Sequence, residues 1–268
     1  MTAPQLKSYS IAPGVKAFST MRHGGCGKGN YGEFNINAFC GDSEENIRNN
    51  RLMLAEELGV EATDIIMPHQ THGIETRQIA KDFLRLPESV RSMVLDGVDA
   101  VMTDVKGICI GVSTADCIPL ILYDTANNAV CAVHAGWRGT VARISLKAVT
   151  DMRLAYGTKP SDIKAVVGPG ISLEAFEVGN EVYEEFANAN FEIEKISKRM
   201  KVAGTDFEYK WHIDLPECNR LLLIQCGVPL ENIQMSGICT YNNASDYFSA
   251  RRLGINSGRI FTGAILGK

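Results

Sequence analysis

The chain has 268 residues, 45% of them hydrophobic and 22% charged, which supplies a packed core and excludes a disordered or fibrous protein. A formal net charge of −4 without any basic stripe argues against nucleic acid and against an anionic membrane surface as partners. No apolar stretch reaches the roughly 20 residues that span a bilayer, the first fifteen residues hold no secretory apolar core, and the eight cysteines form no C-x-x-C pair; a cytoplasmic protein with reduced thiols is expected.

In chain order, residues 45–59 read as an amphipathic helix with Ile47, Leu52, Leu54, Ala55 and Leu58 on its apolar face and Gly59 at its end. A strand is expected at 65–67 and a half-buried one at 98–103. Three apolar β segments follow at 108–112, 118–124 and 129–136, the last two joined by the turn-like DTANN. Residues 140–156 read as one helix turning Ile144, Leu146, Val149, Met152 and Leu154 to the core. A strand at 163–168 runs into the turn Gly168-Pro169-Gly170. Helices near 179–189 and 214–226 and strands near 233–238 and 259–266 complete the chain. Glycine is spread throughout and no linker or repeat interrupts the sequence, so residues 1–268 are read as one domain. The strands cluster without strict βαβ alternation. That favours a single-domain, layered α+β sandwich with mixed sheets over a doubly wound sheet.

Three short segments concentrate chemistry: HQTHG at 69–73, STADC at 113–117 and HAGWRG at 134–139. The second and third end neighbouring β segments, which brings Cys117 and His134 within reach of each other. A histidine from the first would complete a set of three. Thiolate and imidazole are preferred zinc ligands, and three protein ligands leave a fourth position open, as in catalytic sites. Copper takes the same donors. Spacing alone leaves the bland reading equally open, with Cys117 a core thiol and His134 a half-buried histidine. The other seven cysteines are read as small core residues.

Further segments lie around these in a fixed order: Thr20, Arg22, Gly24 and Gly25; Gln70, His72 and Gly73; Asp99, Thr103 and Asp104; Thr114 to Pro119; His134 to Gly139; Gly168 to Ile171; Glu177 to Gly179; Asp214 to Pro216; Cys239-Thr240; and Phe248, Arg251 and Arg252. In this pattern the chain resembles the YfiH-like family, also called the multi-copper polyphenol oxidase or laccase-domain family. The resemblance implies a zinc ion on His72, Cys117 and His134. It also implies phosphorolysis of adenosine, inosine and methylthioadenosine, and deamination of adenosine; some members are described as peptidoglycan editing factors acting on a cytoplasmic muropeptide precursor. Members often carry Cys-Tyr before E-V-G where Ala175-Phe176 stands here, which removes any role for that cysteine and leaves the ligand set intact. Electron transfer by four coppers is excluded, because it needs about ten histidine ligands and a His-Cys-His run, and the chain has five histidines and no such run.

Partners on this reading are a nucleoside and phosphate. Arg138, beside a metal ligand, and Arg22, in a Gly-rich loop, are the candidate phosphate-binding forks; a surface ion pair is the alternative for each. Asp116 would orient a ligand, act as a base, or brace its loop. Trp137 would stack on a purine or pack beside its loop, and Gly168–Gly170 would offer amides to an anion or form a plain turn. A different chemistry uses Cys117 as nucleophile and His134 as base in a cysteine hydrolase.

Overall fold

The computed structural model describes residues 2–202, 204–205 and 207–267. A six-stranded mixed sheet runs in the order Ile233–Met235, Ile163–Val167, Ile118–Asp124, Ala129–Ala135, Ala100–Thr103, Thr76–Gln78. A five-stranded sheet runs Leu6–Tyr9, Val15–Thr20, Ile260–Leu266, Cys109–Thr114, Ile65–Ile66. Glu177–Val178, Tyr209–Ile213 and Ser197–Lys201 form a small third sheet.

The two large sheets pack face to face. Val101, Ile121, Val130 and Val166 of one meet Ala17, Ile110, Val112 and Ala264 of the other. The outer face of the six-stranded sheet, with Leu120, Leu122, Cys131 and Val133, is covered by Ile144, Ala148, Val149 and Met152 of helix Ile144–Tyr156 and by Leu215, Cys218 and Leu223 of helix Leu215–Gln225. The outer face of the five-stranded sheet packs Phe18, Cys109 and Phe261 against Leu54 and Ala55 of helix Glu44–Leu58. Strands covered on both sides read as near-continuous apolar runs, and Ile118–Asp124 and Ala129–Ala135 are buried from end to end, with Asp124 and His134 their charged or polar exceptions. The expected layered α+β sandwich is the fold found.

The structure departs from the sequence reading in particular places. Residues 140–156 are not one helix. Trp137–Val141 and Ile144–Tyr156 are separated at Arg143, whose φ is +63°. Its guanidinium donates to the Ala189 carbonyl and Gln225 Oε1 and lies over Phe191. Those long-range contacts hold a conformation that the local sequence does not favour. Leu52 and Leu154, expected in the core, are exposed, because the buried stripes run through Ile47, Leu54 and Ala55 in one helix and through Ile144, Ala148 and Met152 in the other. Cys26 and Cys226 are only partly buried, and all eight cysteines are free. The opening hairpin, helix Glu88–Val94 and the third sheet carry little apolar periodicity and were not expected.

Candidate metal centre

His72 lies in the turn between Ile65–Ile66 and Thr76–Gln78, Cys117 in the turn that carries the chain from the five-stranded to the six-stranded sheet, and His134 inside the buried strand Ala129–Ala135. Each offers one donor atom, and the three atoms lie within 4.8 Å of one another. The two imidazoles meet edge to face, with centroids 4.9 Å apart. Among the described residues this is the one cluster of three His, Cys, Asp or Glu side chains able to hold a metal ion.

Two non-glycine residues at the site take left-handed backbone conformations, His72 at φ +64° and Asp116 at φ +82°. Such geometry costs of order 1–3 kcal/mol and persists only where surrounding bonds fix it. For His72 the fixing group is Asp99. This carboxylate is fully buried. It accepts from the backbone amides of His72 (3.0 Å), Gly73 (2.7 Å) and Thr71 (3.3 Å) and pairs with His134 Nδ1 at 2.7 Å. An ionised carboxylate only accepts, so Nδ1 of His134 carries the proton and Nε2 is left as its donor atom. Gln70 closes the same loop onto strand Cys109–Thr114, its Oε1 accepting from the Ser113 amide and its Nε2 donating to the Ser113 carbonyl. Gly136 is needed for close approach: a Cβ there would lie 3.0 Å from Cδ2 of His72 and 3.1 Å from Cys117 Sγ.

The electrostatics are those of a site built for a deprotonated thiol. Burial alone would raise the Cys117 thiol, but the charge of His134 and hydrogen bonds from both imidazoles bring it down to about 6. Burial would lower His134, but Cys117 and Asp99 hold it up at about 9. Burial also works against the Asp99 carboxylate, and is outweighed by His134 and by the Gly73 and Thr71 amides, which keep it below the usual range.

The cluster forms part of the lining of a cavity of about 530 Å³. Phe39 and His69 stack at its wall with ring centroids 4.1 Å apart, and His69 Nδ1 pairs with Asp96. Asn37, Gln70, Ser113 and Asn256 give it polar edges, and Ile255 and Arg259 complete a side supplied by the last part of the chain. None of the lining residues is a carboxylate.

The structure does not bring the remaining sequence candidates into this cavity. Arg138 is exposed and lies over Trp137, 4.2 Å from its ring centroid, while Trp137 packs on the helix-side core. Arg22 donates to the carbonyls of Gly32 and Ala244 and lies over Phe248. Asp116 braces its loop, accepting from Thr240 Oγ1 at 2.8 Å and the Arg251 amide at 2.6 Å. The amides of Gly168 and Gly170 donate to the carbonyls of Pro119 and Ile238, leaving a plain turn. Asp99 stood in the sequence pattern without a role; its signal was a carboxylate at the head of the strand Ala100–Thr103, next to apolar residues. Phe39, Asn256 and Arg259 gave no signal.

A family model described as "Multi-copper polyphenol oxidoreductase laccase" matches residues 16–267. The chain is 42% identical over 263 residues to a protein of Bacteroides thetaiotaomicron named "Purine nucleoside phosphorylase", covering 98% of this chain and 94% of that protein. It is 44% identical over 250 residues to "Adenosine deaminase RL5" of an unknown prokaryotic organism, covering 93% of each. Among solved structures, the Bacillus licheniformis hypothetical protein YfiH superposes with a TM-score of 0.85 at 28% identity, covering 97% of this chain and 98% of that one.

Proposed function

The chain belongs to the multi-copper polyphenol oxidoreductase laccase family, and from that premise we propose that it is a zinc-dependent enzyme of purine nucleosides, catalysing phosphorolysis of adenosine, inosine and methylthioadenosine and deamination of adenosine. The observation that carries this is the His72–Cys117–His134 cluster in the wall of a cavity with room for a nucleoside. The relatives' names supply the substrate class. The donor set fits zinc: two imidazoles and a thiol already biased toward thiolate, three ligands in all, and glycine where a side chain would crowd them. It does not fit multicopper chemistry, since five histidines cannot ligate four coppers. The free cysteines suit a reducing cytoplasm.

Zinc held there supplies a Lewis acid beside the reacting atoms and acidifies water. The chain does the rest. Asp99 keeps His134 in one tautomer and fixes the peptide that carries His72. The stacked Phe39 and His69 rings stand in the wall where a purine ring would pack, and Asn256 offers hydrogen bonds to ribose or base edges. Zinc-loaded protein incubated with adenosine and phosphate should yield adenine and ribose-1-phosphate, with inosine from deamination, and Cys117→Ala should yield none of these. Absence of all products from wild-type protein with zinc confirmed bound would refute the proposal.

A hydrolase reading has one observation of its own: His134 pairs with Asp99 through Nδ1 and lies beside Cys117, whose thiol is lowered. It is separated by alkylation. A nucleophilic thiol reacts with iodoacetamide whether or not zinc is present, whereas a ligand thiolate is protected until a chelator is added.

A further inference from the structure

We propose that Arg259 is the phosphate-binding residue of the cavity, the role that sequence spacing had offered to Arg138 and Arg22. The inference rests on the phosphorylase reading above and deepens it by assigning the second substrate a place.

Phosphorolysis brings an anion to a nucleoside. An oxygen of hydrogenphosphate bonds to the anomeric carbon while the glycosidic C–N bond breaks. The bonding pair goes to the departing base nitrogen, and the proton of hydrogenphosphate ends on the base. The enzyme therefore has to hold a doubly charged oxyanion beside the sugar in the same cavity. Of the residues lining that cavity, Arg259 alone carries a fixed positive charge, and no carboxylate lines it to oppose an anion. Among the described residues Arg259 makes no ion pair with an acid.

The guanidinium is also held in place. Nη1 donates to the carbonyls of Ser257 (2.6 Å) and Gly258 (3.0 Å), and Nη2 donates to that of Ile255 (3.0 Å). The Arg259 amide donates to Oδ1 of the buried Asn35 at 3.1 Å, tying this loop to the one that carries Asn37 and Phe39. A guanidinium has five N–H donors. Three bonds to carbonyls leave two, the Nε–H and one on Nη2, without a protein acceptor among the described residues. A fork whose stem is fixed by carbonyls and whose free donors have no internal partner suits a tetrahedral oxyanion. Arg138 and Arg22 lack this combination. The first faces solvent over Trp137, and the second, held on the carbonyls of Gly32 and Ala244, lies outside the cavity lining.

The test measures both reactions of the zinc-loaded protein in parallel, for wild type, Arg259→Gln, Arg259→Lys and Arg138→Ala, together with calorimetric titration of inorganic phosphate into each. In Arg259→Gln the KM for phosphate should rise tenfold or more, several-fold beyond any change in kcat/KM for adenosine deamination, which uses no phosphate. Arg259→Lys, which keeps the charge and loses the fork, should fall between. If Arg259→Gln does not fold, the lysine variant carries the test, with a KM for phosphate at least threefold above wild type expected. Unchanged phosphate KM in either variant would overturn the proposal. So would equal loss of both reactions in a variant that melts like wild type, or a rise confined to Arg138→Ala. If the wild type turns over no nucleoside, the function proposed above fails and the titration still decides. Phosphate binding that Arg259→Gln abolishes would support the anion site, and no binding to wild type would refute it.

Discussion

Asp99→Asn tests the organisation of the site at its most loaded point. The carboxylate serves four donors from full burial. Asparagine keeps one oxygen and puts an NH₂ where the other stood. With the oxygen toward His134 and the His72 amide, the new NH₂ faces the amides of Gly73 and Thr71. With the amide reversed, it faces the Nδ1 proton of His134. Either way a donor meets a donor and at least one bond of 2.7 Å is lost. Hydrogen bonds to a charged partner contribute about 1.5–3 kcal/mol, and an unpaired buried donor costs about 1–3 kcal/mol. A destabilisation near 3 kcal/mol is expected. At about 2–4 °C per kcal/mol for a chain of this size, that lowers Tm by about 6–12 °C. Loss of the group that orients a ligand also typically weakens metal binding about 10–100-fold. Melting in chelator reads the first effect, and zinc competition against a fluorescent chelator reads the second. A variant that melts within about 2 °C of wild type and binds zinc within about twofold would refute the role given to Asp99.

Other outcomes follow from the same geometry. Because the Asp99 carboxyl is held below its usual range, its stabilisation is complete above the unfolded value near 4 and is lost as pH falls through the folded value; acid titration of Tm should therefore be steeper for wild type than for Asp99→Asn. Gly136→Ala places a methyl against His72 and Cys117 Sγ at an ordinary backbone φ of −69°, so zinc affinity should fall by about tenfold or more, with the chelated protein melting almost as wild type; unchanged affinity would show that the ligands yield freely. With zinc removed, alkylation of Cys117 by iodoacetamide should show a midpoint near pH 6; a midpoint near 9 would mean that the imidazoles do not stabilise the thiolate. Phe39→Ala should raise KM for adenosine several-fold and barely move Tm, since the residue is 55% exposed and lines the cavity; an unchanged KM would place the purine elsewhere.

The clustering of His72, Cys117 and His134 was legible because the chain has only five histidines, and these three residues stand in two turns and near the end of an apolar strand. The layers were legible because strands buried on both faces leave uninterrupted apolar runs. The break at Arg143 was not, since its cause lies at Ala189 and Gln225. Proximity in sequence favoured Arg138, beside a ligand, over Arg259, which reaches the cavity only because strand Ile260–Leu266 pairs with Cys109–Thr114. Asp99 was visible as a carboxylate at the head of the strand Ala100–Thr103, but its four partners come from turns and strands that only the folded sheet brings together.

That last pairing bears on how the protein is made. Ile260–Leu266 lies between Val15–Thr20 and Cys109–Thr114, yet it leaves the ribosome after both. During synthesis its two neighbours wait with unpaired edges and an uncovered inner face, and the wall that carries Ile255 and Arg259 does not yet exist. The cluster residues His72, Cys117 and His134 are all translated well before the last part of the chain can close the cavity around them.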